Sequence, residues 1–328
     1  MAGDLIFVTG GTGFLGHHLV PMLLANGYRV RLLVRKTSPL AWLPEGPVEC
    51  IQGDVTDIES VRLGIRGCSY VIHAAGYFRF WGSEETFQRV NVQGTANVTQ
   101  AAAWAGVEYL VHISTIAVVG APPPGHIIDE ETPCRPRDAY QRTKYTAELH
   151  VKSLIETRGL PAVILRPGAF YGPHGKYGFN RLFIEDPMRG IRVQVDRGQR
   201  LVFPVFVPDV VWAICRVLEH SGKARGRIYN ICDVPVLHAE INHLVSDLLG
   251  IRRWRLNPPR RGILAMAGIM EFVARYTRRE PFFPLNLRHY VFNDWPVTSA
   301  RARVELGFQP TPLEEGLRQT VEWYKTRG

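Results

Sequence analysis

The sequence lacks the features that mark several large protein classes. No basic-then-apolar leader separates Met1 from the first strand-like run, and no apolar run reaches the roughly 20 residues of a bilayer span. The five cysteines (Cys50, Cys68, Cys134, Cys215, Cys232) are odd in number and have no CxxC spacing. Neither a disulfide framework nor a zinc cluster is therefore expected; a reduced, cytoplasmic protein without a metal is. Repeats and low-complexity tracts are missing too, and 46% hydrophobic against 21% charged residues is a globular balance. Acid is scarce in one place. From Arg252 to Arg279 eight arginines face one acid, Glu271, a surplus of seven within a formal net charge of +9. Such a stretch suits an anionic partner or a membrane surface, whereas no nucleic-acid-binding module accompanies it.

What is present is a regular alternation. Short apolar, β-rich runs at 4–9, 28–34, 48–52, 70–73, 109–114 and 162–166 are separated by helical patterns, the longest at 85–105 and 139–157. Strand and helix alternating over some 165 residues predict βαβ units on a parallel sheet covered on both faces. After residue 166 Pro and Gly cluster and the pattern becomes irregular, with sheet-like pieces at 201–207 and 227–231. The expected organisation is a doubly wound α/β domain over 1–166 and a smaller mixed lobe over 167–328. About 200–232 of the latter return to the first sheet.

The turn after the first strand carries Gly10, Gly13 and Gly16 at three-residue spacing, with Thr12, Phe14 and Leu15 between them. The first glycine permits a tight turn, the second lets the backbone approach a pyrophosphate, and the third lets the helix lie close on the sheet. This is the phosphate cradle of a Rossmann dinucleotide-binding fold. An NAD enzyme places an acid at the end of the second strand for the ribose hydroxyls. Here Val34 is followed by Arg35 and Lys36, two cations suited to a 2′-phosphate, which favours NADP(H) with NAD(H) as the alternative. Asp54, beside Val55 at the end of the third strand, suits either the adenine amine or a helix N-cap.

Tyr140 and Lys144 lie at i and i+4, so one helical face presents a phenol and an ammonium. A phenol is a poor base at neutral pH unless cations stabilise its ionised form. The fifth strand ends in Ser114 and Thr115, hydroxyls able to hold a carbonyl oxygen beside that phenol.

Taken with TGGTGFLG (9–16), GDVTD (53–57), HAAG (73–76), VNVQGTANV (90–98), HISTIAVVG (112–120), LRPGAFYGP (165–173), FVPDV (206–210) and ELGFQPTPLEEGLRQTVEWY (305–324), the chain resembles the extended short-chain dehydrogenases/reductases over essentially its whole length. It is most similar to their dihydroflavonol-reductase-like and 3β-hydroxysteroid-dehydrogenase-like branch. The resemblance implies that Tyr140 is the general acid in carbonyl reduction. Lys144 would hold the nicotinamide ribose and lower the phenol pKa. Thr115 would be the catalytic hydroxyl, with Ser114 beside it as a second candidate. It assigns Asn91 a supporting place, through a relayed proton or as a buried structural residue. It sets Ala74, Ala75, Gly76 and Pro167 along the cofactor, and implies a homodimer through helices like those at 85–105 and 139–157.

The same scaffold serves nucleotide-sugar epimerases and dehydratases, so fold alone does not choose the reaction. Those enzymes usually keep an acid after the second strand and an Arg-Asp pair before the FVPDV-like segment; here Phe203-Pro204-Val205-Phe206 stands there. Asn180 points the other way, toward a diphosphate. Members that bind NADP(H) only as regulators generally lose the Tyr/Lys pair, which is intact here. The loop Tyr77-Phe78-Arg79-Phe80-Trp81, with Phe170, suits either a lid over a hydrophobic carbonyl substrate or packing between lobes. The expected reaction is hydride transfer between NADPH and such a carbonyl. The apolar run at 263–274, inside the basic stretch at 260–279, reads as a core helix with basic ends or as a helix in peripheral contact with a membrane.

Overall fold

A computed structural model describes residues 3–123 and 125–326. The first half runs β1 (Leu5–Thr9), α1 (Gly16–Ala25), β2 (Arg29–Val34), β3 (Val48–Gln52), α2 (Ile58–Ile65) and β4 (Tyr70–His73). Where one long helix is expected over 85–105, the chain forms α3 (Glu84–Phe87), a π-helical segment (Gln88–Gln93) and α4 (Gly94–Ala105). The widened turn carries Asn91, whose buried side chain binds the backbone of Tyr77. There follow β5 (Tyr109–Ile113), α5 (Ala139–Arg158) and β6 (Ala162–Pro167). Asp138 caps α5 by accepting from the Gln141 amide, and Gly159 ends it in the left-handed conformation.

All seven strands of the main sheet are parallel, in the order β10-β6-β5-β4-β1-β2-β3. Both faces are covered, which is why β1, β4, β5 and β6 are buried along their whole lengths. In β1 the two-residue period sends Ile6 and Val8 into one core and Leu5 and Phe7 into the other.

The second half corrects one expectation. After β7 (Ala169–Tyr171) and α6 (Asp186–Met188), the run at 201–207 does not enter the main sheet. It divides into β8 (Leu201–Val202) and β9 (Pro204–Phe206), each in a two-stranded sheet of its own. Pro204 has no amide proton and suits only the first position of a short strand; β9 pairs with β7 in parallel. The return is made by α7 (Val207–Glu219), packed on the sheet beside α1, and, after α8 (Ser221–Ala224), by β10 (Ile228–Ile231) alongside β6. The lobe is completed by β11 (Val236–Leu237), which pairs antiparallel with β8, and by α9 (His238–Leu249), α10 (Arg260–Thr277), α11 (Arg288–Val291), α12 (Ala300–Leu306) and α13 (Leu313–Lys325). No described helix is long and apolar enough to cross a membrane.

Two strands and a helix meet at one buried ion pair. Arg166 of β6 donates to both carboxylate oxygens of Glu148 on α5, at 3.0 and 2.5 Å, and Ser114, just past β5, donates to the same carboxylate at 2.9 Å. Burial works to raise the Glu148 carboxyl, but the Arg166 guanidinium outweighs it and holds the group below the ordinary carboxylate range. Glu148→Ala would leave that guanidinium buried without its counter-charge. The expected loss is about 3–5 kcal/mol of unfolding free energy, read as a lower urea midpoint at unchanged slope. A loss below about 1 kcal/mol, typical of surface pairs, would contradict this account of the junction.

Candidate active site

A cleft of about 870 Å³ opens at the carboxyl ends of β1, β2, β4, β5 and β6 and is roofed by the second half of the chain. That is the size of a small-molecule or cofactor site. It lies where strand order reverses beside β1, the place at which open α/β sheets bind ligands.

One end is built by the glycine turn. Gly10 has φ +74°, and a Cβ there would come within 2.6 Å of the Ala75 nitrogen and 2.7 Å of the Ala74 carbonyl carbon. The missing side chain thus lets β1 and β4 turn against each other at the cleft floor. Gly10, Thr12, Gly13, Phe14 and Leu15 line the cleft, as do Ala74, Ala75 and Gly76. Gly16 does not; a Cβ there would overlap the Gly11 backbone, so its part is the close packing of α1. Arg35 lines the cleft and is exposed, whereas Lys36 is exposed outside it. Among the described residues at the end of β2 no acid faces the cleft. Asp54 and Val55 also line it. The cap of α2 is Asp57, not Asp54; Asp54 braces the turn by accepting from the Thr56 amide and hydroxyl at 2.9 and 2.8 Å. This cradle fits a nicotinamide dinucleotide.

The other end gathers the polar side chains. The Lys144 ammonium donates to the Ile113 carbonyl at 2.7 Å, which fixes α5 against the last residue of β5. Thr115 accepts from the Ala117 amide at 3.2 Å, and its side chain stands beside the Tyr140 phenol. Burial pushes the Tyr140 phenol up, the Thr115 hydroxyl opposes this, and Asp138 adds to it. The phenol keeps its proton at neutral pH. Burial pulls the Lys144 ammonium down to about 8, with Glu148 opposing.

Several expected site residues have other duties. Ser114 lines the cleft, but its hydroxyl is committed to Glu148, which makes it a poor second catalytic hydroxyl. Asn91 is buried outside the cleft: its oxygen accepts from the Tyr77 amide at 2.7 Å, and its nitrogen donates to the Tyr77 carbonyl and the Thr143 hydroxyl. It braces the start of the aromatic loop. A chain of buried bonds runs from Thr9 through His73 and Thr95 to the Asn91 carbonyl, tying that brace to the glycine turn. Asn180 is fully buried and holds the 172–175 loop through Gly172 and Gly175; it does not reach the cleft, so it is not a substrate contact. Trp81 is likewise outside the lining.

The wall beside Tyr140 is aromatic. Phe78 lies 4.8 Å from the Tyr140 ring, centroid to centroid, and Phe80 packs on Phe78, Tyr177 and Tyr290. Tyr77, Phe170 and Pro167 complete the expected lining. Sequence reasoning missed Tyr177, Phe203, Leu287, Tyr290 and Val291 in this wall, together with Glu148 and Arg166 beneath it. Only Glu148 left a signal, one further i+4 step beyond Lys144 on the same helical face. At the cradle end, His17, Thr37, Ser38, His174 and Lys176 were also missed.

The NAD dependent epimerase/dehydratase family matches residues 6–232. The chain is similar to "Sterol demethylase protein B" of Methylococcus capsulatus, at 32% identity over 332 residues and 98% of each chain. It is 36% identical over 357 residues to "3 beta-hydroxysteroid dehydrogenase type 7" of Mus musculus, across 96% of this chain and 94% of that one. Among solved structures, the dTDP-glucose 4,6-dehydratase DesIV from Streptomyces venezuelae with NAD and TYD bound superposes with a TM-score of 0.79. Its identity is 25%, over 98% of this chain and 97% of that one.

A group whose pKa is lowered loses its charge early as pH rises. Dinucleotide affinity, read by fluorescence titration, should therefore hold below pH 8 and weaken above about pH 8 as Lys144 deprotonates. Lys144→Arg, which stays charged, should remove that limb. Affinity unchanged to about pH 10 in the wild type would contradict a cationic role for Lys144.

Proposed function

Because the chain belongs to the NAD dependent epimerase/dehydratase family, we propose which of that family's reactions it performs: NADPH-dependent reduction of a carbonyl on a hydrophobic substrate. It falls in the extended short-chain dehydrogenase/reductase group, in the dihydroflavonol-reductase-like and 3β-hydroxysteroid-dehydrogenase-like branch. It is an oxidoreductase that uses a nicotinamide dinucleotide.

The observation that carries the choice of substrate class is the aromatic wall at Tyr140. Phe78 packs on the Tyr140 ring, Phe80 and Tyr177 pack on Phe78, Tyr290 packs on Phe80, and Phe203, Leu287 and Val291 extend an apolar lining. A nucleotide diphosphate would need cations and amides converging there. Arg79, in that wall, is already stacked on Tyr177 at 4.7 Å and paired with Glu280. Asn180, the one residue that suggested a diphosphate, spends its amide on the 172–175 loop. Steroid dehydrogenase activity in the mouse relative is consistent with an apolar substrate.

In this reading the amides at the start of α1 hold the pyrophosphate, and the Arg35 guanidinium pairs with the 2′-phosphate. Held there, the cofactor would supply the hydride for the carbonyl carbon. Thr115 holds the carbonyl oxygen beside the phenol, and Tyr140, kept protonated by burial, gives that oxygen its proton. Lys144, fixed by the Ile113 carbonyl, steadies the cofactor's ribose and the charge that develops on the phenol as the proton leaves. The apolar wall keeps water from the reacting carbon.

Tyr140→Phe should lower kcat for carbonyl reduction by about 10²-fold or more while NADPH affinity stays within about twofold. A loss of only a few-fold would reject the assigned acid. Arg35→Ala should weaken NADPH by about tenfold or more and NADH far less, because the lost contact is charge-assisted. Equal effects on the two dinucleotides would reject the phosphate assignment.

A further inference from the structure

Helix α10 has two apolar faces, and only one of them is covered. Ile263, Ala267 and Ala274 point into the lobe, where Ile263 packs with Phe80, Leu287, Val291 and Phe292. Well round the helix, Met266, Ile269, Phe272, Val273 and Tyr276 are exposed; Ile269, Phe272 and Tyr276 stand at 68%, 59% and 76% exposure. At about 100° per residue these five fall within an arc of about 120° that holds no charged side chain. Contiguous exposed apolar surface of this kind is rare unless something covers it.

The rim of that arc says what the cover is. Arg261 and Arg275 border it, and Arg278 and Arg279 follow the helix end; among the described residues none of the four has an ion pair. The only acid of the stretch, Glu271, accepts from the Leu285 amide at 2.7 Å. A second copy of the chain seated on this face would bring the same uncompensated arginines together, which is unfavourable. A surface of negative charge over hydrocarbon matches both the rim and the arc, and Tyr and Phe suit the boundary between them.

We propose that α10 lies flat on an anionic lipid surface, its Met266–Ile269–Phe272–Val273–Tyr276 face immersed and its arginines among the headgroups. The helix is 18 residues long, about 27 Å along its axis, and it rests on the bilayer without crossing it. Because Phe80, Leu287 and Val291 line the cleft as well as packing on Ile263, docking sets the apolar end of the cleft one helix thickness from the lipid. The docking stands on the helix alone and does not depend on the proposed reaction.

The test is flotation of the full chain with phosphatidylcholine vesicles, with and without phosphatidylglycerol, at low salt. The expected result is binding only to the anionic vesicles. It should fall about tenfold or more in Ile269→Ser/Phe272→Ser and, separately, in Arg275→Gln/Arg278→Gln/Arg279→Gln, with thermal unfolding of both variants unchanged because these side chains are exposed. Three outcomes would overturn the proposal: a wild type that stays with the soluble fraction, serine variants that float like the wild type, or sedimentation giving a dimer that the serine substitutions break, which would make the face a contact between copies.

Discussion

A carboxylate buried in a protein interior must be paired and fully hydrogen-bonded, or it costs several kcal/mol. Glu148 meets that requirement with Arg166 of β6 and Ser114 of the β5 end, and in doing so fixes α5 across two strands. The consequence one turn earlier is that Lys144 reaches the Ile113 carbonyl, and one turn before that Tyr140 stands beside Thr115. The phenol, the ammonium and the hydroxyl are thus placed by a charge pair that itself does not line the cleft.

The cleft divides its labour along its length. At the glycine end the wall is largely backbone, and the missing Cβ at Gly10 lets the ends of β1 and β4 lie against each other at the cleft floor. At the phenol end the requirement reverses: rings from the 77–81 loop, from the segment after β7 and from the α11 region remove water around a group that must keep its proton. Asn91 links the two ends, since its side chain holds the aromatic loop while its carbonyl terminates the chain from Thr9 and His73.

Much of the first half is legible from the sequence because local rules decide it. Apolar runs of strand length, a glycine triplet between strand and helix, and a YxxxK on a helix after the fifth strand are short-range patterns, and the parallel sheet follows from their alternation. What escaped the sequence depends on partners far along the chain. The π-helical turn at 88–93 is set by the bond between Asn91 and the backbone of Tyr77, and the exclusion of 201–207 from the main sheet by Pro204 and its pairing with β7. Ser114 and Asn180 look available as isolated letters; only the fold brings Glu148 to one and the 172–175 loop to the other. The wall residues from the lobe, Tyr177, Leu287 and Tyr290, carry no local periodicity that would point to the cleft.

The claim on which the functional account rests is that the site passes a hydride outward to an apolar carbonyl and does not return it to the same molecule. NADPH carrying deuterium at the transferring position of its ring, incubated with hydrophobic ketones and in parallel with nucleotide sugars, tests this most directly. The account predicts net consumption of NADPH with the deuterium on the new carbinol carbon of the ketone product. Turnover of a nucleotide sugar without net oxidation of the dinucleotide, the ketones remaining unreduced, would contradict it.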